Sequence, residues 1–326
     1  MEYRRLGRTG LKVSPICLGT MQFGWTTDEP AAHTIMSRAI ELGINFFDTA
    51  DVYSRWHPGN PGGVSETHIG NWLASGAVAR DQLILATKVR GKMGEAPNDQ
   101  GLSRGHILNA VEASLRRLRT DYIDLYQTHF YDEETPLDET LRALDDLVRT
   151  GKVRYVGCSN YPAWLLAKSL WVSDVQRLVR YDSLQPHYSY VHRAEFEREL
   201  QPLCLDQGVG VIPYSPLAAG FLTGKYRRDT PLPESARAGG VQKRYMNERG
   251  FAAVDKLEEV GQAHDATIAQ TAIAWVLANP VVTSAIIGAN TVTQLEDTTK
   301  GADVKLSAEE KAALDAVTDW ANKGDN

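Results

Sequence analysis

The chain has 326 residues, of which 43% are hydrophobic and 23% charged, so it can bury a core, and disorder, collagen and coiled coil are excluded. Lysine and arginine number 35 against 41 aspartates and glutamates, a net charge of −6, and no basic face typical of nucleic-acid binders is visible. Length alone fits two domains or one barrel of alternating strands and helices.

The N-terminus predicts a soluble, cytoplasmic protein. Its early arginines are not followed by the apolar run of a signal peptide, and the longest apolar stretches are far shorter than the roughly 20 residues that span a bilayer. The three cysteines, Cys17, Cys158 and Cys204, form no CxxC pair, which is typical of a reducing compartment.

Short apolar runs alternate with amphipathic segments along the chain. The runs predict eight strands, at residues 16–19, 45–48, 83–88, 123–129, 153–159, 183–186, 210–214 and 284–288. The segments predict helices at residues 30–42, 66–74, 103–118, 137–149, 163–170, 195–207 and 267–278. Continuous apolar runs are typical of parallel strands that are covered on both faces.

The eight units predict an α/β fold, a single (β/α)8 barrel domain over residues 1–326. A turn at residues 7–10 between two short extended runs predicts an N-terminal β-hairpin that plugs one barrel mouth. An open doubly wound sheet would show GxGxxG after the first strand, whereas the residues after Leu18 read GTMQFG. The one outsized gap, residues 215–250, predicts a long functional loop over the active face.

Polar residues stand at the carboxyl ends of the predicted strands. In a barrel these ends meet at one mouth, so their side chains are candidates for function. Each one alone has an ordinary structural explanation as a cap, a solvated cation or a structural histidine, but their concentration on neighbouring strands favours a shared site. They are Asp48, Lys88, His129, Ser159, Gln185 and Tyr214.

The first three, with Tyr53 five residues after Asp48, form a chemically coherent set. A buried Lys88 needs a nearby anion, which Asp48 supplies. The ammonium near Tyr53 is expected to lower the phenol pKa from about 10. His129 is expected to hydrogen-bond a carbonyl oxygen of the substrate. The set suits a carbonyl that receives a hydride from one side and a proton from the other, and no HxxxH or HxH spacing predicts a metal site.

Over essentially its whole length the sequence resembles the aldo-keto reductases, in a branch similar to potassium-channel β-subunits and bacterial general aldo-keto reductases. The motifs that carry the resemblance are YRRLGRTGLKVSPICLGT, FFDTADVYS, ATKV, IDLYQTH, VRYVGCSNY, YSPLAAGFLTGKY and IIGANTVTQLED. The resemblance implies the barrel, an NADPH-dependent interconversion of carbonyls and alcohols, and a catalytic tetrad of Asp48, Tyr53, Lys88 and His129 with Tyr53 as general acid.

The resemblance also implies the cofactor contacts. Ser159, Asn160 and Gln185 would bind the nicotinamide carboxamide, and Tyr214 would stack on the ring. The remaining contacts would come from the strand ends and from the long loop: Gly19, Thr20, Met21, Asp48, Ser215, Leu217, Gly220, Lys225, Arg237, Gly288, Asn290, Gln294 and Asp297. NADPH is the expected cofactor, but NADH stays open because the last segment lacks the Lys, Ser and Arg that many relatives carry.

Aromatic residues on the loops are expected to wall the pocket for a small-molecule carbonyl substrate. Trp25, Trp56 and Phe130 join Tyr53 and His129 in this prediction, and the polar tail, residues 320–326, predicts an open pocket. The physiological substrate and the oligomeric state stay open.

Two other functions compete with the reductase. One is a nucleotide-sensing partner protein with slow turnover, like a channel β-subunit. The other is an aldolase or isomerase barrel that uses Lys88 as a Schiff-base nucleophile.

Overall fold

The computed structural model describes residues 1–321. Residues 322–326, which make up most of the polar tail that predicted an open pocket, lie outside the described residues. No helix within residues 1–321 combines the length and the apolarity needed to cross a membrane.

Eight parallel strands form the barrel, which confirms the predicted fold. They are β3 (Ile16–Gly19), β4 (Phe46–Asp48), β5 (Ile84–Val89), β6 (Ile123–Thr128), β7 (Val153–Ser159), β8 (Ser183–Gln185), β9 (Gly210–Val211) and β10 (Ala285–Gly288), after the hairpin strands β1 (Arg4–Arg5) and β2 (Lys12–Val13). The order in the sheet is β10-β3-β4-β5-β6-β7-β8-β9. A parallel bridge between Val211 and Val282 joins the β9 and β10 regions, together with the hydrogen bond from the Ile286 amide to the Pro213 carbonyl, at 2.9 Å.

Strand β9 is shorter than the predicted residues 210–214. Pro213 has no N–H to donate, so regular pairing ends before it. Tyr214 keeps the strand direction through an isolated parallel bridge to His187. The side chain of Tyr214 therefore still reaches the barrel mouth.

Helices surround the barrel, and several of them were not predicted. The helices are α1 (Glu29–Glu41), α2 (Val64–Ala74), α3 (Arg104–Leu118), α4 (Leu137–Arg149), α5 (Ala163–Gln176), α6 (Gln201–Gln207), α7 (Ala238–Tyr245), α8 (Glu248–Gln262), α9 (Ile268–Leu277), α10 (Val292–Thr299) and α11 (Ala308–Val317). The predicted long loop over residues 215–250 contains regular structure that was not expected, namely a 3-10 turn at Ala218–Thr223, helix α7 and the start of α8. Its Gly, Pro and Arg content hid these short helices.

The predicted N-terminal hairpin is present and closes the barrel mouth at the amino-terminal ends of the strands. Strands β1 and β2 pair antiparallel, with Arg4 opposite Val13. Leu6 and Val13 are fully buried and pack inside the barrel with Phe46 and Leu125. Gly7, at φ 54°, is needed here because a Cβ would lie 2.5 Å from the Gly210 nitrogen. The opposite mouth remains for the functional side chains.

The carboxyl group of Asp182, next to the N-terminal hairpin, destabilises the fold when it is ionised. Burial raises the pKa of its carboxyl group to about 6, against the opposing effects of the Val156 N–H and of Arg8 and Arg180. Because the pKa in the folded protein exceeds the unfolded value of about 3.9, ionisation costs stability as the pH rises from about 4 through 6.

We therefore expect Asp182→Asn to raise the free energy of unfolding at pH 8 by about 2 kcal/mol and at pH 4.5 by about a third as much. Urea denaturation at both pH values measures this effect. Asp206→Asn, on the exposed face of α6, is the matched control and should be neutral at both. Equal effects of Asp182→Asn at the two pH values would contradict the explanation.

Candidate active site

The carboxyl ends of the barrel strands bring the predicted polar residues to one mouth. Asp48 ends β4, Lys88 lies near the end of β5, and His129 follows β6 directly. Ser159 and Gln185 end β7 and β8. The spacing follows from parallel strands whose last residues share one edge.

Lys88 makes the central contacts of the site. Its Nζ lies 2.5 Å from Asp48 Oδ1, and it donates to the Tyr53 hydroxyl and to the Thr49 carbonyl oxygen, both at 2.9 Å. Lys88 is 0% and Asp48 1% exposed, so water does not screen this ion pair. Burial alone would lower the pKa of Lys88, but Asp48 and Tyr53 raise it above its ordinary value, and the ammonium is retained.

Two glutamines hold the second oxygen of Asp48. Gln127 donates its Nε2 to Asp48 Oδ2 at 3.0 Å, and Gln185 donates to the same oxygen at 2.9 Å. Gln127 was not predicted from the sequence. The sequence does indicate its position, because Gln127 lies two residues after Leu125 and residues two apart on a strand face the same side. Leu125 packs inside the barrel, so Gln127 points there as well.

The expected net lowering of the Tyr53 pKa is wrong for this structure. Burial raises the pKa of Tyr53, and the ammonium of Lys88 offsets only part of that rise. The sequence identified the neighbouring cation but gave no measure of the desolvation of the phenol. Tyr53 is therefore protonated across the physiological pH range and holds a proton that it can donate.

His129 stands across from Tyr53 as a neutral ring. The two ring centroids are 5.9 Å apart in an edge-to-face arrangement. Burial lowers the pKa of His129 to about 3, with help from Lys88 and Arg90. A neutral imidazole can donate one hydrogen bond to a carbonyl oxygen without adding charge to the pocket.

The residues predicted to hold the nicotinamide form one hydrogen-bonded group. Tyr214 donates its hydroxyl to Asn160 Oδ1 at 2.9 Å, and Asn160 Nδ2 donates to Ser159 Oγ at 3.0 Å. Ser159 donates in turn to the Gln185 carbonyl oxygen at 2.8 Å. Behind Tyr214 the ring of His187 stacks at 5.2 Å, with 9° between the planes, a support that sequence reasoning did not find.

Lys225 and Arg237 bring two cations to the edge of the mouth. Burial and the positive charge of Arg237 lower the pKa of Lys225, and burial lowers the pKa of Arg237. Within residues 1–321 no carboxylate forms an ion pair with either of them. Two neighbouring cations without a carboxylate are suited to an anionic ligand such as a pyrophosphate.

The turn before Lys225 holds the other predicted loop residues. Ser215 and Gly220 have left-handed backbones, at φ 56° and 94°. The Gly220 amide donates to the Leu217 carbonyl oxygen at 2.9 Å. A Cβ on Gly220 would lie 3.4 Å from Lys225 Nζ, so the glycine leaves space beside the ammonium.

The residues after β3 are hydrogen-bonded to the backbone of Asp48. Thr20 donates both its amide and its hydroxyl to the Asp48 carbonyl oxygen, each at 3.0 Å. Gly19 ends β3, where a Cβ would lie 2.7 Å from a methyl group of Ile286, and Met21 is half-buried beside it.

The last predicted segment is only partly available for a ligand. Gly288 and Asn290 are exposed, and the backbone N–H of Asn290 donates to Gln294 Oε1 at 2.9 Å. Asp297 Oδ1 instead accepts from Gln270 at 2.6 Å, so this carboxylate is engaged in joining α9 and α10. The structure thus places Asp297 in a helix contact rather than at a free surface.

Aromatic rings line the mouth on the side of Tyr53. Trp25 and Trp56 lie edge-to-face at 5.8 Å, Trp56 lies 6.2 Å from Tyr53, and Phe130 stacks on His129 at 5.2 Å. Trp56 is 46% and Phe130 45% exposed. The predicted pocket residues therefore form a continuous apolar rim around the phenol.

The chain is similar to known proteins over almost its whole length. The model of the aldo/keto reductase family matches residues 15–319. The chain is 43% identical to the uncharacterized oxidoreductase YrpG of Bacillus subtilis (strain 168), over 95% of this chain and 93% of the relative. It is 36% identical to a versiconal hemiacetal acetate reductase of Aspergillus parasiticus, over 95% of both chains. It is 34% identical to a probable voltage-gated potassium channel subunit beta of Arabidopsis thaliana, over 93% of this chain and 92% of the relative.

Proposed function

The chain belongs to the aldo/keto reductase family, and from that premise we propose that this oxidoreductase reduces aldehydes or ketones to alcohols with NADPH, with Tyr53 as the general acid. The observation that carries the proposal is the buried contact of Lys88 with both Asp48 and the Tyr53 hydroxyl. A fixed cation at the phenol stabilises the negative charge that develops when the proton leaves.

Different residues of the site donate the proton to the substrate carbonyl, stabilise the charge that results and orient the carbonyl oxygen. Tyr53 donates the proton to the substrate oxygen, and the Lys88 ammonium stabilises the resulting phenolate. Asp48 is the counter-ion of that ammonium. His129, neutral because its pKa is about 3, orients the same oxygen by a hydrogen bond. The aromatic rim of Trp25, Trp56 and Phe130 excludes water from the reacting face. NADPH, when bound, supplies the hydride.

The donor set of the mouth fits a phosphorylated nicotinamide dinucleotide. Lys225 and Arg237 supply two cations for its phosphates, and Asn160 with Ser159 and Gln185 supplies polar groups for its carboxamide. The amino terminus of α10, which carries the positive end of the helix dipole, would lie near the adenosine part of the dinucleotide. NADPH differs from NADH by the 2′-phosphate, and Asn290 and Gln294 at the adenosine end are neutral. The preference for NADPH therefore rests on one of the two loop cations reaching the 2′-phosphate while the other binds the pyrophosphate.

We expect Arg237→Met to raise the Kd for NADPH about 10- to 100-fold, because a hydrogen bond to a charged group contributes about 1.5 to 3 kcal/mol. Fluorescence titration at low and high salt measures the change, which should be largest at low salt. Lys243→Met, an exposed lysine of α7, is the matched control and should bind NADPH like the wild type. Equal weakening by both variants would mean that only the net charge matters.

Turnover of carbonyl compounds tests the proposed function directly. NADPH and NADH oxidation is followed in parallel with 4-nitrobenzaldehyde and methylglyoxal. Multiple rapid turnovers with NADPH are expected. Tight dinucleotide binding with no turnover of any carbonyl compound in the screen would contradict the proposal.

The similarity to a potassium channel β-subunit supports one alternative. A nucleotide-sensing partner protein would hold the dinucleotide tightly and turn over slowly. The complete set of Asp48, Tyr53, Lys88 and His129 favours the enzyme, and the same turnover assay separates the two functions. A Schiff base on Lys88 has no support from the geometry, because the ammonium is retained by Asp48.

A further inference from the structure

One layer of the barrel interior is polar. Asp48, Gln127 and Gln185 come from the alternate strands β4, β6 and β8, which is how a barrel fills a single layer with side chains. All three are buried, at 1%, 0% and 3% exposure. Their hydrogen bonds to one another fix which atom of each amide faces which neighbour.

The hydrogen-bonding capacity of Asp48 determines the orientation of both amides. Its carboxylate pairs with Lys88 through Oδ1 and can only accept. The amide groups that face Oδ2, at 3.0 Å from Gln127 and 2.9 Å from Gln185, must therefore be NH2 groups. The same Gln185 nitrogen lies 3.3 Å from Gln127 Oε1 and donates its other hydrogen there.

Both N–H bonds of the Gln185 side-chain amide therefore donate to acceptors inside the barrel, Asp48 Oδ2 and Gln127 Oε1. Its carbonyl oxygen Oε1 is the only part of the amide left for a ligand, and this oxygen can only accept. Asp48 holds the first N–H of Gln185, and Gln127 holds the second by supplying its acceptor, so the two residues together keep both N–H groups away from a ligand.

A glycine leaves the space that Gln127 requires. Gln127 pairs with Gly157 across the strands β6 and β7. A Cβ on Gly157 would lie 3.2 Å from Gln127 Cγ and 2.3 Å from Ser183 Oγ. Any side chain at position 157 would displace Gln127 from its path across the barrel.

We propose that Gln127 is a positioning residue that holds Gln185 with its carbonyl oxygen toward the cofactor, and so makes the site select a pyridine ring whose substituent donates a hydrogen bond. This inference rests on the proposed function, in which Gln185 faces the carboxamide of a nicotinamide dinucleotide. The NH2 of a carboxamide satisfies Gln185 Oε1, whereas an acetyl group offers no donor and leaves this oxygen unpaired.

Binding of two dinucleotides tests the proposal without turnover. The probes are NADP+ and its 3-acetylpyridine analogue, which carries CH3 in place of NH2 and has the same charge. We expect calorimetric titration of the wild type to give about tenfold weaker binding of the analogue, as expected when a buried acceptor is left unpaired. In Gln127→Leu, Gln185 keeps its N–H bond to Asp48 but loses the acceptor of its second N–H. The amide can then tilt about the bond to Asp48 and donate the second N–H to the ligand, so the ratio is expected to fall to about twofold.

Gln127→Met keeps the side-chain length and guards against a folding defect in the leucine variant. Both variants should lower the ratio, whereas a merely structural role would weaken the two ligands equally and leave the ratio at the wild-type value. An unchanged ratio in both variants, or a wild type that binds the two ligands equally, would overturn the role of Gln127. A wild type that binds neither dinucleotide would instead overturn the proposed function.

Discussion

Tyr53→Phe is expected to lower kcat for carbonyl reduction by about 10²- to 10⁴-fold, the usual contribution of a general acid. The change removes one hydroxyl and leaves the ring, so the packing against His129 and Trp56 is retained. The affinity for NADPH should stay within about twofold, because the predicted cofactor contacts lie on other residues. Stopped-flow turnover with 4-nitrobenzaldehyde and fluorescence titration with NADPH measure the two quantities.

A control on a neighbouring ring makes this result specific. Tyr131 lies on the loop after β6 and packs edge-to-face against Tyr161 at 6.1 Å, away from Lys88. Tyr131→Phe should therefore keep wild-type turnover. Undiminished turnover in Tyr53→Phe would remove Tyr53 from the role of acid.

The pH dependence provides a second check on the same residue. Burial raises the pKa of Tyr53 above its ordinary value of about 10, and His129 is neutral above about pH 3. The wild-type kcat for reduction should therefore stay level through neutral pH and fall only above pH 10. A fall centred near pH 7 would point to a different proton donor.

Local patterns made the barrel and its mouth predictable from the sequence. The ends of β4, β5 and β7 match the prediction within one residue, so the strand-end rule placed Asp48, Lys88 and Ser159 correctly. The hairpin followed from the turn near Gly7. These features depend on residues close together in the chain.

Cross-barrel packing and desolvation were not predictable in this way. Gln127 meets Asp48 from a strand 79 positions away, and its path depends on the missing side chain of Gly157. The direction of the Tyr53 pKa depends on how much water the fold removes, and no motif reports that quantity. Of the unpredicted helices, α7 and α8 lie between the motifs and α11 lies beyond them, whereas α10 overlaps the last motif, whose residues were interpreted as cofactor contacts.

Lys88→Met is expected to cost both activity and stability. Removing the ammonium leaves the buried carboxylate of Asp48 without its counter-charge, and breaking a buried ion pair at one partner costs about 3 to 5 kcal/mol. It also removes the donor at the Tyr53 hydroxyl, so kcat should fall about 10²- to 10³-fold. Urea unfolding gives the first quantity and turnover the second.

Combining Asp48→Asn with Lys88→Met separates these two effects. A neutral amide at position 48 would need no counter-charge and could still accept from Gln127, so we expect the double variant to recover most of the lost free energy of unfolding. It should not recover turnover, because the Tyr53 phenolate would still lack a neighbouring cation. Recovery of both would mean that Lys88 contributes only to folding, whereas recovery of neither would mean that the destabilisation of Lys88→Met does not come from the uncompensated charge of Asp48.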